Sequence, residues 1–392
     1  MDKRSSLLIF ILTIGVFGIL STEMGVIGIL PLIADYYDVS VSKAGLFVSL
    51  FALAVAISAP SMPLLFSGIN RKKAMLLVLG VFVLGNIVSI FGSNFTIALI
   101  ARVIPAIFHP IYCSMAFTVA ANSVSNEEAP KAVSKIMLGV SAGMVLGVPI
   151  TSFIASETSF EMAMLFFAII NAITFIATLL FVPSMPVKEK LSYGSQLSVL
   201  KNSITWLSIA AVIFINSAIF GVYSYLAEYL EIITNISGKT ISLMLVVYGG
   251  ANVIGNIAAG KLLTKNAIKT VATFPFALGA VYIVLFSFGQ FTVPMAIITL
   301  VWGILAGIGG NIAQYWITSA AFKAPDFANG LFLSSANIGT TIGTAVGGLF
   351  ISAIGTQYIV VGGLLSLILC AVCILLRNNI FSPRTQLSIE EI

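Results

Sequence analysis

Charge is what this sequence has least of: Asp, Glu, Lys and Arg make up 8% of its 392 residues, against about 25% in ordinary soluble domains. That scarcity excludes a water-solvated globule. With 59% hydrophobic residues and a mean hydropathy of +1.10, the chain reads as an all-α polytopic membrane protein. Cysteine is scarce too. Cys113, Cys370 and Cys373 fall inside apolar runs with no further Cys or His at metal-ligand spacing, so no metal site is expected, and Cys370 and Cys373 read as small packing residues. The absence of a glycine loop ending in Gly-Lys-Ser/Thr argues against ATP-driven export. One histidine with dispersed acids supplies neither a nucleophile and its base nor a metal cluster, which argues against an enzyme. A non-transporting receptor would want an output domain longer than any loop here. The net charge of +5 does not mark a nucleic-acid binder, because the basic residues lie between apolar runs and form no face with interleaved aromatics.

What is present is a succession of apolar runs. A bilayer core needs about 20 apolar residues per helix, and twelve runs qualify: Leu7 to Ile33, Ala44 to Phe66, Ala74 to Gly92, Phe95 to Ser123, Ala132 to Ala155, Met162 to Val182, Ile204 to Leu230, Thr240 to Leu263, Thr270 to Phe288, Val293 to Ala321, Phe327 to Ile354 and Tyr358 to Leu376. The first follows Met1-Asp2-Lys3-Arg4, exceeds a signal-peptide core and ends in no cleavage site, so it reads as a retained span. Threaded alternately, the loops sort the charges. One side collects Lys3, Arg4, Arg71, Lys72, Lys73, Lys131, Lys135, Lys188, Lys190, Lys201, Lys261, Lys265, Lys269, Lys323, Arg377 and Arg384; the other has Lys43 and Lys239. The basic side is expected to be cytoplasmic, with both termini on it, in a bacterial inner (cell) membrane. The longest polar connection, with Pro186, Lys188, Glu189 and Lys190, divides the chain into an N-terminal six-helix bundle (1–183), a cytoplasmic linker (184–203) and a C-terminal six-helix bundle (204–392).

The halves echo each other. Gly139, Gly143 and Gly147 in the fifth span match Gly339, Gly343 and Gly347 in the eleventh, 200 residues on, each triplet repeating every four residues as a stripe down one helix face. Close packing is the favoured role, in two parallel bundles that open and close around a central cleft.

Ionisable groups inside the spans are few. Ala101 to Ser114, ARVIPAIFHPIYCS, carries Arg102 and the single histidine, His109. Seven residues apart, they share one helix face at depths about 10 Å apart. Glu23 is the acid well inside a span. Such groups are costly in a membrane and mark function. The C-terminal half offers amides and aromatics instead: Asn216, Phe220, Tyr223, Asn252, Asn256, Asn311, Gln314, Trp316 and Asn337. Some of these amides are expected only to glue helices together.

On these residues the chain resembles the major facilitator superfamily. The six-plus-six spans, Arg71-Lys72-Lys73 after the second span, Arg102 in the fourth, and GVSAGMVLGVPITS (Gly139 to Ser152, with Pro149) in the fifth are similar to its signatures, the last to that of exporting members. STEMGVIGILPLIA (Ser21 to Ala34), the Arg102 to His109 spacing and SSANIGTTIGTAVGG (Ser334 to Gly348) resemble the proton-coupled drug and sugar efflux branch. The loop FSGINRKK (Phe66 to Lys73) lacks that family's usual aspartate, and Pro105 and Pro110 stand where it more often has glycines, which predicts a locally bent fourth helix. The resemblance implies a monomeric antiporter, multidrug or sugar efflux in type, that exchanges a small molecule for protons by alternating access and needs no cofactor beyond the coupling proton. It also implies that the first and fourth spans face each other; on that placement Glu23 and His109 are expected to titrate as a unit biased by Arg102, the alternative being that Glu23 is a structural partner of Arg102. Gln314 and Asn337 are its best substrate contacts, with Asn311, Asn216, Tyr223, Phe220 and Asn252 beside them. A dedicated exporter of nucleosides, purine bases or another metabolite is the alternative.

Overall fold

The structure is a computed structural model that describes residues 3–125, 127–187, 194–321 and 325–380. Met1, Asp2, the linker residues Lys188, Glu189 and Lys190, and Lys323 and Arg384 lie outside the described residues. Among those described, eleven helices are long and apolar enough to cross a membrane. One of them, Gly238–Phe288, has 51 residues, more than twice what a core of about 30 Å requires at about 1.5 Å per residue. It is two spans. Asn266 breaks it with extended backbone (φ −162°, ψ 90°), and its side-chain oxygen accepts from the Lys269 N–H at 2.9 Å, so the expected loop between the eighth and ninth spans shrinks to one capping residue. All twelve expected spans are thereby present.

Three differ in detail from the hydropathy reading. The second ends at Ser58, short of Phe66: Ala59 keeps helical backbone (φ −57°, ψ −42°), but Pro60 has no N–H with which to continue the ladder, and a separate turn of helix follows at Met62–Leu65. The first runs to Tyr37 but tightens to a 3-10 turn at Val26–Ile29, where Pro31 leaves the Ile27 carbonyl without its helical donor. The seventh breaks after Tyr223 and resumes at Leu226–Ile232. Both interrupted helices begin a bundle, and both lead to the same turn: left-handed Asp38 and N-cap Ser40 recur as Asn235 and N-cap Ser237, although of the two serines Ser40 is the one whose hydroxyl accepts from a main-chain N–H, that of Lys43. Tyr37 donates to the Gly92 carbonyl at 3.1 Å, and Thr234 to that of Gly289 at 2.7 Å.

The glycine stripes explain how the spans approach. Gly139, Gly143 and Gly147 lie on the backbone of Thr13, Phe17 and Ser21 in the first span; Gly339, Gly343 and Gly347 lie on that of Ile213, Ser217 and Gly221 in the seventh. Proline adds a second device. Pro149 and Pro105 deny a donor to the carbonyls four residues before them, those of Val145 and Ala101. Each bare carbonyl meets a glycine of another span, Gly249 and Gly85 respectively. The fourth helix nevertheless runs unbroken over Phe95–Asn122 with Pro105 and Pro110 inside it, so the expected bend does not interrupt it.

The halves meet along two seams. Between the second and eleventh spans, Ser334 donates to the Ala56 carbonyl at 2.7 Å and Thr341 to that of Ser49 at 3.2 Å. Between the fifth and eighth, the Ser152 and Ser242 hydroxyls lie 2.9 Å apart. The Asn70–Lys72 loop stays within its own half. Asn70 donates to the Ser184 hydroxyl at 2.8 Å, the Arg71 N–H to the Met185 carbonyl at 3.1 Å and Lys72 Nζ to the Leu179 carbonyl at 2.9 Å. It clasps the end of the sixth span, where a cation also suits the helix C-terminus.

Candidate functional site

Arg102, His109 and Glu23 converge in the N-terminal half, all buried (6%, 4% and 8% exposed). Their pairing is specific. His109 Nε2 lies 3.1 Å from Glu23 Oε2, and this is the side-chain pair the acid makes. Arg102 instead holds main chain: Nη2 donates to the Glu23 carbonyl at 2.8 Å and Nε to the Phe47 carbonyl at 2.9 Å. Its guanidinium lies over the Phe51 ring, 4.9 Å from the centroid, a contact that suits a desolvated cation. Arg102 thus ties the first, second and fourth spans together. It fixes residue 23 at the point where the helix tightens.

His109 Nε2 also faces Cys113 Sγ, at 3.7 Å. A neutral imidazole has one N–H to give, and the shorter approach assigns it to the carboxylate. Nδ1 is then left as a buried acceptor without a partner among the described residues. Phe51 closes the other side, its ring 6.3 Å from the imidazole.

Arg102→Ala is expected to remove two charge-assisted hydrogen bonds between spans, at about 1.5–3 kcal/mol each, and to lower the thermal midpoint of the detergent-purified protein. Arg102→Lys should recover only part of that, because an ammonium lacks the planar fork that reaches two carbonyls in two directions. An unchanged midpoint in Arg102→Ala would remove the guanidinium from this role.

In the C-terminal half the expected contacts divide. Asn311 donates to Asn256 Oδ1 at 2.6 Å and Asn256 to Asn252 Oδ1 at 3.0 Å, an amide chain joining the eighth and tenth spans. Asn216 and Asn337 turn their amide N–H groups onto their own helices, at the Val212 and Leu333 carbonyls (3.0 and 2.9 Å). Asn337 also stands between Ser334 and Thr341, on the seam with the second span. Gln314 is exposed and outside the amide chain. Tyr223 packs at 6.1 Å against Phe220 and stacks at 4.3 Å on Tyr248. Sequence reasoning missed Tyr248, Trp302, Phe51 and Cys113. For Phe51 no pattern could have served, since it matters through neighbours on another span; Cys113, four residues after His109 on one helix face, and Tyr248, beside Gly249-Gly250 in an apolar run, carried a signal.

Helices of membrane length, folded as two copies of one unit with titratable groups sealed inside the first, define a polytopic carrier of the two-bundle kind. The sequence matches the Major Facilitator Superfamily over residues 12–326, and the chain belongs to that family of membrane transporters. Among its relatives, the uncharacterized MFS-type transporter YtbD of Bacillus subtilis (strain 168) is 31% identical over 361 residues, covering 90% of this chain and 91% of that one. The inner membrane transport protein YdhP of Escherichia coli (strain K12) is 27% identical over 90% of this chain and 91% of its own. A protein described as "Probable sugar efflux transporter" in Helicobacter acinonychis (strain Sheeba) is 27% identical over 93% of this chain and 94% of its own. Two solved structures share the fold. A bacterial homolog of the human lysosomal transporter Spinster, inward-facing and unoccupied, superposes with a TM-score of 0.78 at 16% identity over 97% of this chain and 98% of that one. The nucleoside transporter NupG, solved as a point mutant, gives 0.79 at 13% over 97% and 100%.

Proposed function

We propose that this transporter exports a small organic molecule in exchange for protons, with Glu23 and His109 as the coupled proton site. The observation that carries the reading is the buried 3.1 Å pair between these two side chains, held in a bundle whose cation is occupied elsewhere. Low dielectric favours a neutral carboxyl and a protonated imidazole favours its anion, so admitting water to the pair changes where the proton resides. Substrate and proton then compete for one opening of the cavity. Export as the direction is supported by the glycine and proline pattern of Gly139 to Ser152 and by relatives whose descriptions name sugar efflux. On this reading the basic side faces the cytoplasm, with both termini on it, and the carrier sits in the cell membrane; the loop charge bias supports that orientation. The amide chain of Asn252, Asn256 and Asn311 favours a metabolite exporter over a broad drug pump, since a repacking drug site leans on apolar and Met-rich walls.

The test is ligand-dependent proton release from purified protein in weakly buffered detergent solution, over dyes, sugars and nucleosides. Binding accompanied by proton release supports exchange; binding without it sinks the mechanism.

Alternating access adds a second expectation, at the seam of the fifth and eighth spans. Cysteines replacing Ser152 and Ser242, in a chain freed of its three native ones, should cross-link under mild oxidant and stop transport in vesicles until reductant is added. Transport that continues while the bridge is intact would mean that this seam does not open.

A further inference from the structure

Buried tyrosines of the C-terminal half fall into two kinds. Tyr225, Tyr229 and Tyr282 donate their hydroxyls to the carbonyls of Thr344, Leu285 and Ala218, at 2.9, 3.1 and 2.7 Å. Tyr223 and Tyr248 do not. Their residues are only 7% and 4% exposed, and their rings stack at 4.3 Å with planes 14° apart. Yet neither hydroxyl has a hydrogen-bond partner among the described residues, and neither is sealed off as the Tyr112 hydroxyl is. Trp302 sets its ring edge-on to both, at 6.3 and 5.2 Å, and Tyr282 braces Trp302 in turn at 5.7 Å. Two phenols are therefore held rigidly, with their apolar bodies buried and their donors unspent.

The surroundings fix what such a pair can take. Asn216 lies two helical turns before Tyr223 on the same face, and Asn252 one turn after Tyr248. Asn216 gives one of its two amide N–H groups to the Val212 carbonyl and keeps its oxygen; Asn252 accepts from Asn256 on its oxygen and keeps both of its N–H groups. The stretches 203–227 and 240–260, which supply all four side chains, contain no Asp, Glu, Lys or Arg. An uncharged set dominated by hydroxyl and amide donors complements an uncharged ligand rich in oxygen acceptors. A cation would find no counter-charge there, and an apolar ligand would leave the hydroxyls unpaired, which is costly in a dry site.

We propose that Tyr223 and Tyr248 form a two-hydroxyl clamp that selects a neutral, oxygen-rich ligand, and that this clamp, and not the Glu23 pair, discriminates between substrates. The proposal rests on reading the chain as a carrier of small molecules. It is tested by equilibrium binding of sucrose, lactose, inosine and the cationic dye ethidium to the purified full chain, comparing the unaltered protein with Tyr223→Phe and Tyr248→Phe. Phenylalanine keeps the stack and deletes only the hydroxyl. At least one neutral compound is expected to bind, and each variant to weaken it about three- to tenfold, the worth of one hydrogen bond, with ethidium unaffected. Whether sucrose and lactose or inosine respond tells a saccharide from a nucleoside. Tyr229→Phe, which gives up the bond to the Leu285 carbonyl and lies outside the stack, is the control for a loosened fold: it should lower the thermal midpoint without changing selectivity. Equal losses for ethidium and the neutral compound, no loss in either variant, or a protein that binds none of the neutral compounds would each overturn the clamp. Proton release is read in the same samples. Its absence in the unaltered protein, alongside selective losses in the variants, would retire the coupling mechanism and leave the clamp standing.

Discussion

Glu23→Gln is expected to abolish ligand-driven proton release while leaving ligand binding and the fold in place. The amide matches the carboxylate in size, and its oxygen still accepts from His109 Nε2–H, which lies 3.1 Å from Glu23 Oε2 in the unaltered chain. The bond from Arg102 to residue 23 goes to the main chain, so the substitution does not touch it. What disappears is the group that gains and loses a proton. In vesicles, an imposed pH gradient should then no longer drive uptake or extrusion against a concentration difference, though downhill exchange can persist. The readout is proton release per ligand bound, with the thermal midpoint confirming a folded sample. Release that survives in Glu23→Gln would move the proton site elsewhere, with His109 and the buried Glu228 next to be replaced. His109→Gln separates the partners: if the two titrate together, it should shift the pH at which release is half-maximal without eliminating release.

Gly343→Leu is expected to prevent folding altogether. A β-carbon at Gly343 would meet the Ser217 carbonyl, with the Ser217 Cα at 2.8 Å and the Gly221 nitrogen at 2.9 Å. All three are backbone atoms, which cannot rotate away. The seventh and eleventh spans would have to separate, and overpacking of this kind costs about 1–3 kcal/mol or more, in a setting where close helix approach itself supplies the association energy. Gly250→Ala is the matched control, because a β-carbon there meets nothing within 4 Å, and alanine favours helix over glycine by up to about 1 kcal/mol. Size-exclusion profile and thermal midpoint after membrane extraction decide the matter. A monodisperse Gly343→Leu protein with an unchanged midpoint would mean that these helices are not held by contact at the stripe.

Hydropathy carried the spans, because span length is a property of single segments. Interruptions within spans were less visible. Pro31 in ILPLIA hinted at the 3-10 turn of Val26–Ile29, but nothing in an apolar run announces that the helix resumes on the far side. The pairing of Arg102 was beyond the sequence for a different reason: its acceptors are the carbonyls of Phe47 and Glu23, and every residue has a carbonyl. Only the fold chooses which. The amides illustrate the same limit, since Asn311 joins a chain of side chains while Gln314, three residues on, stands exposed. The aromatic pair of Tyr223 and Tyr248 needed two spans to meet before either hydroxyl could be seen to lack a partner.

Because Arg102 clamps the main chain of residue 23, the acid has a fixed address, and parting from His109, 3.1 Å away, asks only its side chain to turn. Rotamer changes take picoseconds to nanoseconds, whereas rocking of whole bundles takes microseconds to milliseconds. No local refolding separates those two regimes at Glu23. On the proposed exchange mechanism the slow swing of the bundles governs turnover, and exchanging light water for heavy is expected barely to alter it.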